Sequence, residues 1–208
     1  MSRFREEDLS PDEIAEQASV YGPFTQRIRD LVDAALHTEV DLDVVREVDE
    51  ELERILKRLE ERRSDESFGL RFDENGVTRA WGNAVIGLRN AVAPPLDVKR
   101  EADGTVWDEF TLGGAYEGPP GLVHGGVLSL LLDHVLGMVA GTRGKPRMTA
   151  WVKVNYHRPT PLGPLRVEAE VDRVEGFKTH AVGRVLCDGE VTADAEGLFI
   201  LPRWLREQ

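Results

Sequence analysis

The sequence predicts an α+β fold in which an antiparallel sheet wraps around one long central helix, with a helical extension at the N-terminus. Three observations carry that expectation. Residues 11–63 show only helical periodicity, residues 96–201 show short β-like runs punctuated by turn signals, and a single strongly apolar helix, about 124–141, stands among those runs. A chain of 208 residues accommodates one domain of ordinary size plus an appendage. We divide it into an acidic helical extension, 1–67, and a main domain, 68–208.

In the extension, Val45, Val48, Leu52, Ile55, Leu56 and Leu59 recur at helical spacing, with Glu50–Arg54 and Glu53–Lys57 as i,i+4 pairs. Thr38 followed by Asp41 resembles a capping box for this helix, and an earlier helix is expected over 24–37. The charges read as a solvated face and the apolar stripe as a docking surface. Residues 1–67 carry 20 of the 38 acidic side chains and only 10 of the 26 basic ones. With a net charge of -12 concentrated there, nucleic acid is an improbable partner.

In the main domain the β-like runs fall at 96–101, 105–112, 147–157, 165–174, 179–187 and 190–201, with Asp103-Gly104 and Asp188-Gly189 as turn signals. The helix between them is apolar nearly all round and must be enclosed. The strands that follow are the neighbours available for that, hence a sheet around a helix. One stripe differs: Gly126, Ser129, Asp133, Gly137 and Ala140 share a face of small or polar residues, so something approaches it closely.

Asp133 is the informative residue of that stripe. A carboxylate in an apolar helix must be paired, solvated or neutralised, because desolvation penalises its charged form. It either bonds a neighbouring backbone group or an arginine across an interface, or it is a general base or nucleophile in a semi-dry pocket. Gly125 and Gly126 at the helix start are open to two readings as well: a tight turn, or an oxyanion site built from backbone N–H groups that lack intrahelical partners. His124 and Asp133 are nine residues apart, about 13 Å along a helix, too far to touch one small carbonyl. If both serve the same ester or thioester, they come from different subunits related by a two-fold axis.

The segments YEGPPGLVHGGVLSLLLDHVLGMVAG, MTAWVKVNYHRPTPLGP and DRVEGFKTHAV together resemble the PaaI-type hotdog-fold acyl-CoA thioesterases, the branch with an EGPPG-x-x-HGG opening. The similarity spans about residues 69–202. It implies a hotdog fold, dimerised or built as a dimer of dimers, that hydrolyses acyl-CoA to free acid and CoA without a cofactor, in fatty acid metabolism. By the same match Asp133 is the catalytic carboxylate, the Gly125 N–H, positioned by His124, polarises the carbonyl, and Thr149 holds the attacking water. Gly126, Asn155, His157 and the run Phe177, Lys178, Thr179 and His180 fall at substrate contacts. Some relatives carry an asparagine where this sequence has Gly118.

Period-two alternation puts Met148, Ala150, Val152, Val154 and Tyr156 on one face of their strand and Thr149, Trp151, Lys153 and Asn155 on the other. Thr149 would then face away from the helix, unless a second subunit covers that side or the strand start is irregular. The loop TRGKPR offers Arg143, Lys145 and Arg147 either to CoA phosphates or to the helix dipole. His134 is expected to pack rather than react. An acyl-CoA-binding or regulatory module with little turnover is the competing function, and a hotdog hydratase or dehydratase ranks behind it.

Other classes fall away. There is no G-x-S-x-G elbow, and His37, His157 and His180 show no metal-ligand spacing, so no metal is expected. No stretch reads as a signal peptide or a membrane span. The single cysteine, Cys187, is expected to be a buried structural thiol in a reducing cytoplasm.

Overall fold

Ser10 begins the first long element by a reciprocal cap. Its Oγ accepts from the Glu13 N–H at 3.3 Å while Glu13 Oε2 accepts from the Ser10 N–H at 2.8 Å, and Pro11 occupies the first helical position. The computed structural model describes residues 4–6, 9–72, 78–94, 96–141 and 146–206. They divide into two compact units, Met1–Asn83 with Leu88–Ala91, and Ala84–Gly87 with Val92–Gln208.

The first unit contains β1 (Phe4–Glu6), α1 (Pro11–His37), α2 (Leu42–Glu60), β2 (Leu70–Phe72) and β3 (Thr78–Arg79). β1 pairs parallel with β2, and β2 antiparallel with β3. Helix α1 begins well before the expected residue 24 and runs through Pro23. Proline lacks the N–H that would meet the Ser19 carbonyl, and the helix continues past that one lost bond. Thr38 is the C-cap of α1, and Asp41, without a side-chain cap bond, is the N-cap of α2; the capping box belongs to Ser10 and Glu13 instead. Glu53–Lys57 forms at 2.8 Å, whereas Arg54 turns to Glu51, at 3.9 Å, rather than to Glu50.

The second unit holds β4 (Lys99–Arg100), β5 (Val106–Leu112), a 3-10 turn (Gly114–Tyr116), α3 (Gly125–Ala140), β6 (Met148–Tyr156), β7 (Gly163–Glu175), β8 (Lys178–Cys187), β9 (Glu190–Ile200) and α4 (Arg203–Arg206). Its six strands form one antiparallel sheet in the order β4-β5-β7-β8-β9-β6, packed on α3: the hotdog arrangement. The expected strand over 96–101 shrinks to Lys99–Arg100. Asp188 and Gly189, at φ 51° and 79°, make the tight β8–β9 turn in which both central residues are left-handed.

The core lies between α3 and the sheet. Leu128, Leu131, Leu132, Val135, Leu136 and Val139 meet Val106, Phe110 and Leu112 of β5, Val167 of β7, Val185 of β8 and Phe199 of β9. Small residues in the middle of the sheet set the approach distance: a Cβ at Gly183 would lie 2.9 Å from the Glu168 carbonyl oxygen and 3.3 Å from Leu136. The sheet covers only one side of α3. Leu130 is 38% exposed, Gly126 is open to solvent, and Ser129, Asp133 and Gly137 are half-buried, so this chain does not enclose its helix as expected.

Candidate functional site

The segment Glu117–His124 delivers α3 with a fixed orientation. Pro119, Pro120 and Gly121 form a turn closed by the Leu122 N–H on the Pro119 carbonyl, with Gly121 at φ 74°, the left-handed position a type II turn requires. Glu117 accepts from the Gly121 N–H at 2.6 Å, and the His124 N–H reaches the Tyr116 carbonyl. A Cβ at Gly118 would lie 2.8 Å from His124 Cα. That approach leaves no room for asparagine in this chain.

His124 is the N-cap of α3, and its Nδ1 accepts from the Gly126 N–H at 2.9 Å. The imidazole satisfies one end-of-helix donor. Among the described residues nothing accepts from the Gly125 N–H, which is therefore the donor left for a ligand, while the Gly126 N–H is occupied. Tyr156, at the end of β6, closes the other side. Its hydroxyl donates to the Gly125 carbonyl at 2.9 Å, so the 2.7 Å contact with Ser129 is donated by the serine. The sequence pointed to neither role, because alternation alone makes Tyr156 a core-facing aromatic.

Two turns further along α3, Thr149 donates to Asp133 Oδ1 at 3.0 Å. This contact needs the irregular strand start. Thr149 pairs with Phe199 and Trp151 with Leu198, leaving Ala150 as the extra residue of a β-bulge. The bulge puts Thr149 on the same face as Val152, Val154 and Tyr156, towards α3. Thr179 of β8 also pairs with Phe199, so its side chain lies in the same cross-sheet row, buried and with its hydroxyl unpartnered. His134 is half-buried with Nε2 enclosed and unpartnered; burial pushes its pKa down, against the opposing charge of Asp133.

The remaining expected site residues lie elsewhere. Asn155 projects from the outer face of the sheet, where it donates to Asp194 at 2.7 Å; His157 Nε2 also meets Asp194. Burial would raise the Asp194 pKa, but the hydrogen bonds from Asn155 and His157 hold it below the usual carboxylate range. An open hollow of about 700 Å³ on that face, lined by Asn155, Glu168, Arg184 and Asp194, is on the opposite side of the sheet from Asp133. Phe177 sits at the β7–β8 turn under Arg206, whose guanidinium is 3.8 Å from its ring centroid, and Arg147 donates to its carbonyl at 2.9 Å. Lys178 is half-buried beside it, and His180 meets Arg173 at 3.2 Å. Arg143 and Lys145 lie outside the described residues. Cys187 is half-buried rather than buried, and burial followed by the charge of Asp188 raises its pKa.

The single chain thus brings Asp133 together with Thr149, and Gly125 with His124 and Tyr156. It keeps the two groups about 12 Å apart along α3, on a helix side that the sheet leaves open. Among the described residues no group of three or more His, Cys, Asp or Glu could hold a metal ion, and no helix is long and apolar enough to cross a membrane.

A family model described as "Thioesterase superfamily" matches residues 120–193, which include α3 and most of the sheet. Among curated proteins, the Bos taurus acyl-coenzyme A thioesterase THEM4 is 37% identical over 92 residues, 42% of this chain and 38% of that protein. The Xenopus laevis protein of the same name is 33% identical over 94 residues, 44% of this chain and 42% of that one. The chain thus spans about two fifths of the length of these relatives. A crystal structure of a thioesterase superfamily protein superposes with a TM-score of 0.77 at 41% identity, covering 87% of this chain and 90% of that one. Similarity at that level over nearly the whole of both chains establishes that this chain belongs to the thioesterase superfamily.

Proposed function

We propose that the protein hydrolyses acyl-CoA thioesters to the free acid and CoA, as a homodimer or dimer of dimers acting in the cytoplasm without a cofactor. The observation that carries this reading is the open side of α3. It presents a carboxylate held by a hydroxyl, Asp133–Thr149, and an amide donor without an acceptor, Gly125 N–H, too far apart for one chain to use together. Two copies packed antiparallel across this side bring Gly125 of each beside Asp133 of the other. The names of the bovine and frog relatives support the substrate class.

In this arrangement the thioester carbonyl oxygen accepts from the Gly125 N–H, at the positive end of the helix dipole. With Asp133 as base, its free oxygen takes a proton from water positioned with the help of Thr149, and the resulting hydroxide adds to the carbonyl carbon. The tetrahedral oxyanion is held by the amide until the C–S bond breaks, and the thiolate of CoA leaves with the proton. With Asp133 as nucleophile, an anhydride forms first and water then cleaves it.

The test is thiol release from acyl-CoAs of graded chain length and aromatic character, run beside Asp133→Asn. We expect turnover in the wild type and a loss of about two to four orders of magnitude in the variant with folding intact. Full turnover in the variant would refute the role of Asp133. Stabilisation by CoA with no thiol release from any acyl-CoA would instead make the protein a binding module.

A further inference from the structure

Helix α2 has no buried residue, yet its apolar side chains are ordered. Val45, Val48, Leu52, Ile55 and Leu59 follow one another at intervals of three, four, three and four, the a/d seam of a coiled coil. Ile55 and Leu59 are 50% and 53% exposed. A helix of 19 residues is only a little longer than the roughly 12–15 at which isolated helices are marginal in water. With its seam open, α2 needs something against it.

We propose that the α2 seam is closed by α2 of a second copy of this chain, running antiparallel. Charge decides the direction. Beside the seam, in the g positions, α2 carries Glu51 at its midpoint and Arg58 near its C-terminus. An antiparallel pair sets each Glu51 against the partner's Arg58, twice by symmetry. A parallel pair instead sets Glu51 beside the partner's Leu56 and Val44 beside the partner's Asp49, so neither charge gains an opposite one. Both charges are available, since Glu51 reaches Arg54 only at 3.9 Å and Arg58 has no ion pair among the described residues. The seam agrees, because leucine at a with isoleucine at d disfavours a parallel two-stranded coil, whereas an antiparallel pair layers a against d.

A lipid surface fits poorly. Membrane-lying helices carry Lys and Arg on the polar face, and α2 holds seven acidic against four basic residues. The pairing is independent of the hydrolytic reading. It is a short coil, which gains from any second contact that keeps the same two copies together.

The test is sedimentation equilibrium of the full chain across a wide concentration range. Glu51→Arg and Arg58→Glu should each weaken one association step, roughly three- to tenfold, and the double reversal should restore it. Leu52→Asp with Ile55→Asp should weaken the same step by at least about a hundredfold. Both reversed residues are exposed on a helix that has no buried residue, so the reversals leave the fold intact. A double reversal that fails to restore association points to a parallel pair or to the exposed end of α1 as the occupant, and overturns the proposal. So does a seam variant that associates like the wild type, or a wild type that stays monomeric throughout.

Discussion

The Thr149 hydroxyl donates to Asp133 Oδ1 across 3.0 Å, and one extra residue in β6 makes this possible. Strict alternation would send Thr149 to the outer face with Trp151 and Lys153. Ala150, the surplus residue of the bulge, reverses the parity of the strand start, so that Thr149 and Val152 both face α3. Bulges re-aim side chains next to active sites, and here the re-aimed side chain meets the one carboxylate of α3.

Removing that hydroxyl isolates its contribution. Thr149→Val keeps the volume and leaves Asp133 without its donor, and a hydrogen bond to a charged group is worth about 1.5–3 kcal/mol. We expect kcat for thioester hydrolysis to fall by roughly ten- to a hundredfold with KM little changed, and Thr149→Ser to stay within about threefold of the wild type. Steady-state kinetics on the best acyl-CoA decides it; a variant that loses only KM would assign Thr149 to binding.

Tyr156 acts on the other half of the site by fixing the first turn of α3 through the Gly125 carbonyl and Ser129. Tyr156→Phe keeps the ring against Gly125 and deletes both bonds. The expected effect is a kcat loss of about tenfold at unchanged KM, with unfolding free energy lowered by about 1 kcal/mol. Rates and denaturant melts measured on the same preparation separate positioning from stability.

The parts legible in the sequence are those with a strong local signal. Helix α3 was expected over 124–141 and spans Gly125–Ala140 because His124 and Gly141 cap it sharply. Asp133 stood out because a charge on an apolar helix is costly. An irregular strand start is one of the two alternatives the sequence leaves for Thr149, but Ala150 is unremarkable in a strand and only the pairing with β9 shows it to be the surplus residue. The role of Tyr156 was hidden for a related reason, as its partners come from a helix start far away in sequence. In the first unit the sequence leads to a helix over 24–37, whereas α1 starts at Pro11 and continues through Pro23. The β1–β2 pairing joins three-residue strands more than sixty residues apart, too short to show a period.

Acid should destabilise the second unit through His134. Burial lowers its pKa from the ordinary 6.5, so the folded state prefers the neutral ring more strongly than the unfolded chain does. The associated stability is fully present above pH 6.5 and is lost as pH falls towards the folded pKa. Denaturant melts between pH 7 and 5 should show this loss in the wild type and a flatter profile in His134→Leu. The depressed pKa of Asp194 acts in the same sense but only in the carboxylate range, below that window. Equal slopes for the two proteins would mean that the ring escapes its enclosure when protonated.

The proposed site, shared between two chains, makes a prediction that a single-chain site does not. Gly125→Pro deletes the proposed oxyanion donor at the first helical position, where proline is tolerated, and the added Cβ would lie no closer than 3.5 Å to the Tyr156 ring. Asp133→Asn deletes the carboxylate. Each variant alone is inactive at both of its sites. In a mixed dimer, one site joins the two substituted residues and is inactive, while the other joins the intact Gly125 of one subunit to the intact Asp133 of its mate. Statistical mixing makes half of the dimers mixed, so unfolding and refolding an equimolar mixture should restore about a quarter of wild-type thiol release. If the mixture recovers no more than the mean residual activity of the separate variants, Gly125 and Asp133 do not meet across a subunit boundary.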